Sequence, residues 1–338
     1  MTPLAIRRIA FVLLVGLAPA SAHALTETLT LRSASVPSGG ITTATLTLDA
    51  AAVRDKSYSV SVQGSNAAQV PSRVEIRAGQ TRVEFPVTAA AAATSQFADI
   101  HVSEPGSSVI LSRVRLGVTP PTLLSLALNR SEVVGGTTNN TVTGTVTLDG
   151  VAAGVGLNVE LGQTCSNCFS ARGEQTQLLG LPSAVRVSGG ARTGSFNIVA
   201  ELALSTKQYT VSAGMTGVVK SAPLANLSLR PLSMTVSPTT IAGSQAASAT
   251  IALNAPAYAG YRMTLTCSAL LDVVSSVGNQ TCQPSGSSRE LLLSVPAGQA
   301  SFSFQLLRGQ ASPPTQVTVR AEPLGMSGNV QAVVSVAP

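Results

Sequence analysis

One short stretch occurs three times and limits what the chain can become. It reads Ala78-Gly79-Gln80-Thr81-Arg82-Val83-Glu84-Phe85, then Gly189-Gly190-Ala191-Arg192-Thr193-Gly194-Ser195-Phe196, then Ala297-Gly298-Gln299-Ala300-Ser301-Phe302-Ser303-Phe304. Each time a Phe follows the glycine by six residues. Each time an alternating apolar run precedes it: Val74 and Ile76, Val185 and Val187, then Leu291, Leu293 and Val295. Two period-two runs meeting at a Gly turn predict a β-hairpin. Gly79, Gly190 and Gly298 lie 111 and 108 residues apart. That spacing is the length of one small β-sandwich, so the expectation is three sandwiches in a row.

The strands follow in the same order each time. In the first copy Leu29/Leu31, Leu46/Leu48, Tyr58/Val60/Val62, Val74/Ile76, Val83/Phe85/Val87, Ile100/Val102 and Val114/Leu116/Val118 make seven alternating runs. Val36-Pro37-Ser38-Gly39-Gly40 reads as an edge strand broken by a Pro-Gly kink, since proline is tolerated at edges and bulges. Seven short strands with turn signals are the sequence signature of an Ig-like sandwich. The fold class expected is therefore all-β: three tandem Ig-like β-sandwich domains after a signal peptide. The boundaries are 1–24 for the signal, 25–119, 120–230 and 231–338 for the domains, with Thr119-Pro120-Pro121-Thr122 and Arg230-Pro231 as short, stiff linkers. No useful length has helical periodicity, and Ala89 to Ala93 reads as a loop between strands.

Met1 to Ala24 has the form of a secretory signal. Arg7 and Arg8 form the basic end, Ile9 to Leu17 the apolar core, and Ala22-His23-Ala24 the small-residue cleavage site, leaving Leu25 first. The apolar run is short for a membrane span. An exported chain, periplasmic or displayed at the surface, is expected. Removing Arg7 and Arg8 lowers the formal charge from +6 to +4. The remaining basic residues are scattered, Arg113 and Arg115 being the densest pair, so nucleic-acid binding has little support. Only 11% of residues are charged, well below the globular norm. Thr and Ser occupy the strand faces that should meet water, as in Thr45-Leu46-Thr47-Leu48.

Domains two and three carry 14 more residues than domain one between the opening strand and the hairpin glycine. All four cysteines fall in these enlarged halves: Cys165 and Cys168, then Cys267 and Cys282. A disulfide staple on each enlarged loop is the simplest account in an oxidising compartment. A loop of about 15 residues closed by Cys267 and Cys282 corresponds to roughly 3 kcal/mol in the chain-entropy model. Cys165-Ser166-Asn167-Cys168 could also be a redox CxxC or half a metal site. The first wants a helix in a βαβ context and the second about four ligands, and His101 is the single histidine left after cleavage. Four cysteines allow three pairings.

Catalytic constellations are not assembled in the sequence. Asp99 and His101 share one face of a strand, and a polar surface pair is a better reading than part of a triad. Acidic residues stand singly, as Asp49, Asp149 and Asp272 do, so neither paired carboxylates nor a calcium cage is expected. Gly135-Gly136 and Gly189-Gly190 precede strands, not phosphate-binding helices. Sugar-stacking aromatics are lacking: there is no Trp, aromatics are 3% of the chain, and Tyr58, Tyr209, Tyr258 and Tyr261 are dispersed. Phe85, Phe196 and Phe304 are expected in the cores. Asn129, Asn139, Asn226 and Asn279 begin N-x-S/T sequons. No cofactor is expected.

Val70-Pro71-Ser72-Arg73-Val74-Glu75-Ile76-Arg77-Ala78-Gly79-Gln80 through Phe85, and Leu181-Pro182-Ser183-Ala184-Val185-Arg186-Val187-Ser188-Gly189-Gly190 through Phe196, resemble the Pro-Ser-x-Val-x-Val-x-Ala-Gly-x-Thr-x-x-x-Phe motif of bacterial tandem Ig-like surface and secreted proteins. The third copy departs from it, with Pro296 after the strand and no Pro-Ser before it. The antibody-type Cys-Trp-Cys core is absent. The resemblance implies a stalk, spacer or adhesive module. The expected function is a non-enzymatic structural or interaction protein at the cell envelope with an unidentified protein or cell-surface partner. The enlarged Cys-bearing loops are the expected contact sites. The alternative is a module that captures a peptide or pilus-like strand by β-augmentation, against which the Pro-marked edge argues.

Overall fold

A computed structural model describes residues 26–166, 180–267, 271–275, 278–281, 290–308, 315–326 and 328–337. The proposed signal segment, Cys168 and Cys282 lie outside them. Among the described residues every regular element is a β-strand. The first nine are β1 (Glu27–Leu31), β2 (Ser35–Pro37), β3 (Ile41–Leu48), β4 (Lys56–Gln63), β5 (Ala68–Gln69), β6 (Arg73–Ile76), β7 (Arg82–Ala89), β8 (Gln96–Ser103) and β9 (Ile110–Thr119). The next eight are β10 (Leu123–Leu128), β11 (Glu132–Val134), β12 (Thr141–Leu148), β13 (Leu157–Cys165), β14 (Ala184–Val187), β15 (Thr193–Val199), β16 (Lys207–Met215) and β17 (Val218–Leu227). The last ten are β18 (Pro231–Ser237), β19 (Thr240–Ala242), β20 (Ala246–Leu253), β21 (Arg262–Cys267), β22 (Leu271–Ser275), β23 (Gly278–Thr281), β24 (Glu290–Ser294), β25 (Ser301–Arg308), β26 (Thr315–Pro323) and β27 (Val330–Ala337).

These strands form six sheets, and no sheet draws on more than one of the three groups. The first group gives β1-β3-β7-β5 and β2-β9-β8-β4-β6. The second gives β10-β12-β15 and β11-β17-β16-β13-β14, and the third β18-β20-β25-β22-β23 and β19-β27-β26-β21-β24. This is the tandem Ig-like arrangement expected from the sequence. The chain also divides into two compact units. Of the described residues, one holds those up to Ser35, Ile41–Thr88 and Phe97–Gly117; the other holds Val36–Gly40, Ala89–Gln96 and those from Val118 on.

The alternation of the sequence is realised as inward and outward faces. Leu46, Tyr58, Ile76, Phe85, Ile100 and Leu116 are buried in the first unit. Leu148, Val159, Phe196, Tyr209 and Leu224 belong to the second sandwich's core. Tyr261, Met263, Phe304, Val319 and Val336 belong to the third's. Each large side chain buried this way contributes about 1.5–3 kcal/mol.

The kinks do more than break an edge. In each sandwich the opening strand pairs in one sheet, and the short strand after it crosses to the other. There β11 and β19 run parallel to β17 and β27. Ala89 to Ala93 holds no helix, as expected.

The organising hairpin is corrected by the structure. β6 pairs with β4 and β7 pairs with β3, so the strands flanking Gly79 lie in opposite sheets. The same holds around Gly190 and Gly298. The turn is an arch over the end of the sandwich. Its two arms alternate because both point side chains into a shared core, not because they pair with each other. The glycines have φ of +82°, +79° and +80°, and no atom stands within 4 Å of where a Cβ would be. The backbone conformation is what requires glycine there.

Each arch is tied to a buried alanine by two backbone hydrogen bonds. Gly79 N–H donates to Ala52 O at 2.7 Å, and Ala52 N–H to Gln80 O at 2.9 Å. Gly190 with Ala152, and Gly298 with Ala257, repeat this bridge.

Candidate functional site

The most chemically varied surface lies on the outer face of the sheet β2-β9-β8-β4-β6, within the first unit. Strand β8 places Phe97, Asp99 and His101 at alternate positions there. Gln63 stands opposite Asp99 and Ser61 opposite His101. The Asp99 carboxylate takes two hydrogen bonds from Arg115, Nε to Oδ1 at 2.8 Å and Nη2 to Oδ2 at 3.0 Å. That bonding holds its carboxyl below the usual carboxylate range, and Asp99 in turn raises Arg115. The guanidinium of Arg115 also sits over the Phe97 ring, 5.6 Å from its centroid.

Asp99 and His101 thus share a face, as expected, but the carboxylate bonds Arg115 and does not orient the imidazole. His101 is only 8% exposed, and its Nδ1 has no hydrogen-bond partner. A base without an orienting acid lacks the geometry of a triad.

The enlarged halves of the second and third sandwiches are now located. The connection from β4 to β6 spans residues 64–72, whereas that from β13 to β14 spans 166–183 and that from β21 to β24 spans 268–289. Cys165 ends β13 and Cys267 ends β21. Neither is a free thiol. Their expected partners, Cys168 and Cys282, lie outside the described residues. In the third sandwich part of the enlarged connection, expected as a contact site, is packed. There β22 joins the sheet beside β25, with Leu271 and Val273 fully buried. In the first sandwich β5 takes the corresponding place beside β7. Part of the connection that holds the added residues is therefore core.

Of the lone acidic residues, Asp149 has structural work. Asp149 accepts from the Thr122 N–H at 2.6 Å with Oδ1 and from the Thr122 hydroxyl at 2.8 Å with Oδ2. Asn254 occupies the same turn in the third sandwich. Its Oδ1 accepts from Arg230 N–H at 2.9 Å, and its Nδ2 donates to Ser228 O at 3.0 Å. Both side chains seize the chain as it enters a new sandwich. Among the described residues no three of His, Cys, Asp and Glu gather where they could hold a metal ion. Nor, among the described residues, is any helix long and apolar enough to cross a membrane.

Phe85, Phe196 and Phe304 are core residues, as expected. Tyr58, Tyr209 and Tyr261 are buried too. Tyr258 and Tyr261 are not dispersed; they meet edge to face, 5.5 Å between centroids. The sequon at Asn226 is no surface acceptor, because Asn226 is 2% exposed and donates to Glu201 O.

Besides one of about 280 Å³ beside Pro296, Gln299 and Phe302, two larger clefts occur among the described residues of the second unit. One of about 530 Å³ lies beside the β16–β17 turn and is lined by Pro120, Pro121, Leu157, Met215 and Val219 among others. The other, of about 330 Å³, is lined by Arg130, Glu132, Thr137, Asn139, Asn254 and Pro256 among others. Neither gathers a nucleophile beside a base.

No family model matches the chain, and no curated protein matches it. Similar solved structures include the D0–D1 domain of intimin, at 12% identity over 60% of this chain and 99% of that one, with a TM-score of 0.24. The I67–I69 I-band fragment of titin is 9% identical over 93% and 96%, with a TM-score of 0.25. The mouse nectin-like molecule 4 ectodomain, Ig1–Ig3, is 10% identical over 92% and 98%, with a TM-score of 0.28. At these scores they add nothing to the strand order already described, which by itself defines a tandem Ig-like β-sandwich protein.

Proposed function

We propose that this chain is an exported, non-enzymatic structural and interaction protein, a stiff spacer or adhesion module of the bacterial cell envelope. In this reading residues 1–24 are a cleaved signal, and the domains run 25–119, 120–230 and 231–338. Cys165 pairs with Cys168 and Cys267 with Cys282, and the partner is a protein or cell-surface component.

The observation that carries the spacer reading is the seating of the last linker. Ser228, Leu229 and Arg230 are not a free tether. Leu229 is fully buried in the third sandwich's core, and Asn254 bonds both Ser228 and Arg230. Val134 of the second sandwich packs against that same core. A linker consumed in this way transmits orientation, whereas a flexible one does not.

Residual dipolar couplings fitted separately to the second and third sandwiches test this. One common alignment tensor is expected; two different tensors would remove the spacer reading. Mass spectrometry of the mature protein from medium and periplasm tests export, with a product starting at Leu25 and no free thiol expected. The β-augmentation alternative loses ground at two edges. β10 and β18 each carry a bulge, at Leu123/Ser125 and at Pro231/Ser233, a device that discourages pairing with a further strand.

A further inference from the structure

We infer that the outer face around Phe97, Arg113 and Arg115 is a docking surface for an acidic peptide segment of another protein, one that alternates carboxylates with apolar side chains. This rests on the interaction half of the function proposed above.

Phe97 is 60% exposed, while Phe85, Phe196 and Phe304 are at most 7% exposed. Among the described residues Phe97 is the one Phe left in water. The Phe97 carbonyl accepts a hydrogen bond from the Ser65 hydroxyl at 2.6 Å. Arg115 lies on the ring and is itself fixed by both oxygens of Asp99. Aromatic and Arg side chains carry most of the binding energy at protein interfaces. A pair already locked in place loses little freedom when a partner arrives.

Charge complementarity names the partner. Arg73, Arg113 and Arg115 face Asp99 and Glu75 on this sheet. Arg115 already occupies both oxygens of Asp99. Arg113, which bears on Asp99 from the neighbouring strand, has no ion pair of its own among the described residues. The surplus is therefore cationic and adjoins an apolar ring. A carboxylate would address Arg113, and an aliphatic side chain would cover Phe97. A phosphate-rich polymer would instead call for a run of several cations, which this face does not supply.

The mature chain, isotopically labelled, would be titrated with two acetylated pentapeptides, Glu-Leu-Glu-Leu-Glu and Lys-Leu-Lys-Leu-Lys, and with inositol hexaphosphate. The expected result is amide shifts confined to residues 97–103 and 110–117 with the Glu peptide alone. Phe97→Ser and Arg113→Ser should each weaken it about fivefold or more, with unchanged circular dichroism. Should one variant fail to fold, the other still decides. No shifts, equal shifts with the Lys peptide or the hexaphosphate, or unweakened binding by a folded variant overturns the proposal. Such a failure leaves the spacer reading standing, because that depends on the dipolar couplings.

Discussion

Gly144 lies directly opposite Phe196 in the pairing of β12 with β15, and the Phe ring fills the space a side chain would need. A Cβ on Gly144 would come within 2.2 Å of the ring's Cζ. The corresponding pairs are Ala44 with Phe85 and Ala249 with Phe304. A small residue therefore faces the repeated Phe in all three sandwiches, and in the second it has shrunk to nothing. Gly144→Ala is expected to destabilise by about 1–2 kcal/mol, overpacking outweighing the entropic gain of losing a strand glycine. Phe196→Ala is expected to cost roughly 3–5 kcal/mol. Denaturant unfolding of Gly144→Ala/Phe196→Leu should show part of the loss recovered. Additive losses would mean that the ring and the glycine do not compete for one space.

Asp99 titrates in a window set by Arg115. Its folded carboxyl ionises below the ordinary range, so its pairing contributes above the ordinary Asp pKa, about 3.9. That contribution is lost as pH falls through the lower folded value. Arg115→Leu should move the Asp99 carbon resonance midpoint up towards the ordinary value. The melting temperature at neutral pH should hardly change, since exposed ion pairs stabilise little. An unmoved midpoint would show that Arg115 is not the cause.

The tyrosines set the opposite limb. Burial pushes the Tyr209 phenol up to about 12. Tyr58 and Tyr261 go higher, Tyr58 helped by its bond to the Glu27 carboxylate. Each is neutral in the fold while its unfolded form ionises near pH 10. Their stabilisation is full below that pH and is lost as pH rises towards the folded values. Phenolate absorbance should therefore lag a free-tyrosine titration above about pH 10, then rise together with loss of the β-sheet signal. A smooth titration through pH 10 with the fold intact would place these phenols in water.

Strand positions were legible because alternation states which side chains face inward. The pairing of those strands was not. Val74/Ile76 and Val83/Phe85/Val87 alternate whether they form a hairpin or an arch, since both arms point into one core. Only the hydrogen bonds to β4 and β3 decide. The bridges to Ala52, Ala152 and Ala257 were hidden for the same reason, as an alanine in a turn carries no mark of its partner. On the candidate surface the sequence put Asp99 beside His101. The partner that matters, Arg115, comes from the next strand, sixteen residues on. The burial of Leu271 and Val273 was not legible because a loop length does not tell whether its residues join a sheet.

Asp149 and Asn254 show one position solved with two chemistries, and exchanging them tests it. The chain entering the second sandwich offers Asp149 two donors, the Thr122 N–H and hydroxyl. A carboxylate, which only accepts, suits both. The chain entering the third offers one donor and one acceptor, Arg230 N–H and Ser228 O. An amide matches that pair and a carboxylate does not. Asn254→Asp would bring a negative charge against the Ser228 carbonyl, and Ser228 is only 2% exposed. Asp149→Asn keeps an acceptor for the Thr122 N–H and turns its NH2 group to the Thr122 hydroxyl, whose oxygen can accept it. Asn254→Asp is expected to cost about 1–3 kcal/mol, the range for leaving a buried partner unsatisfied, and Asp149→Asn less, because its bonds to Thr122 are exposed. Asn254→Asp should be the more costly, because its mismatch is charged and lies at a buried carbonyl. Urea unfolding at neutral pH would measure both, and amide exchange at Arg230 would report the freed linker. Unchanged stability and an unchanged Arg230 exchange rate in Asn254→Asp would show that the third sandwich holds its linker without this side chain, through the burial of Leu229 alone.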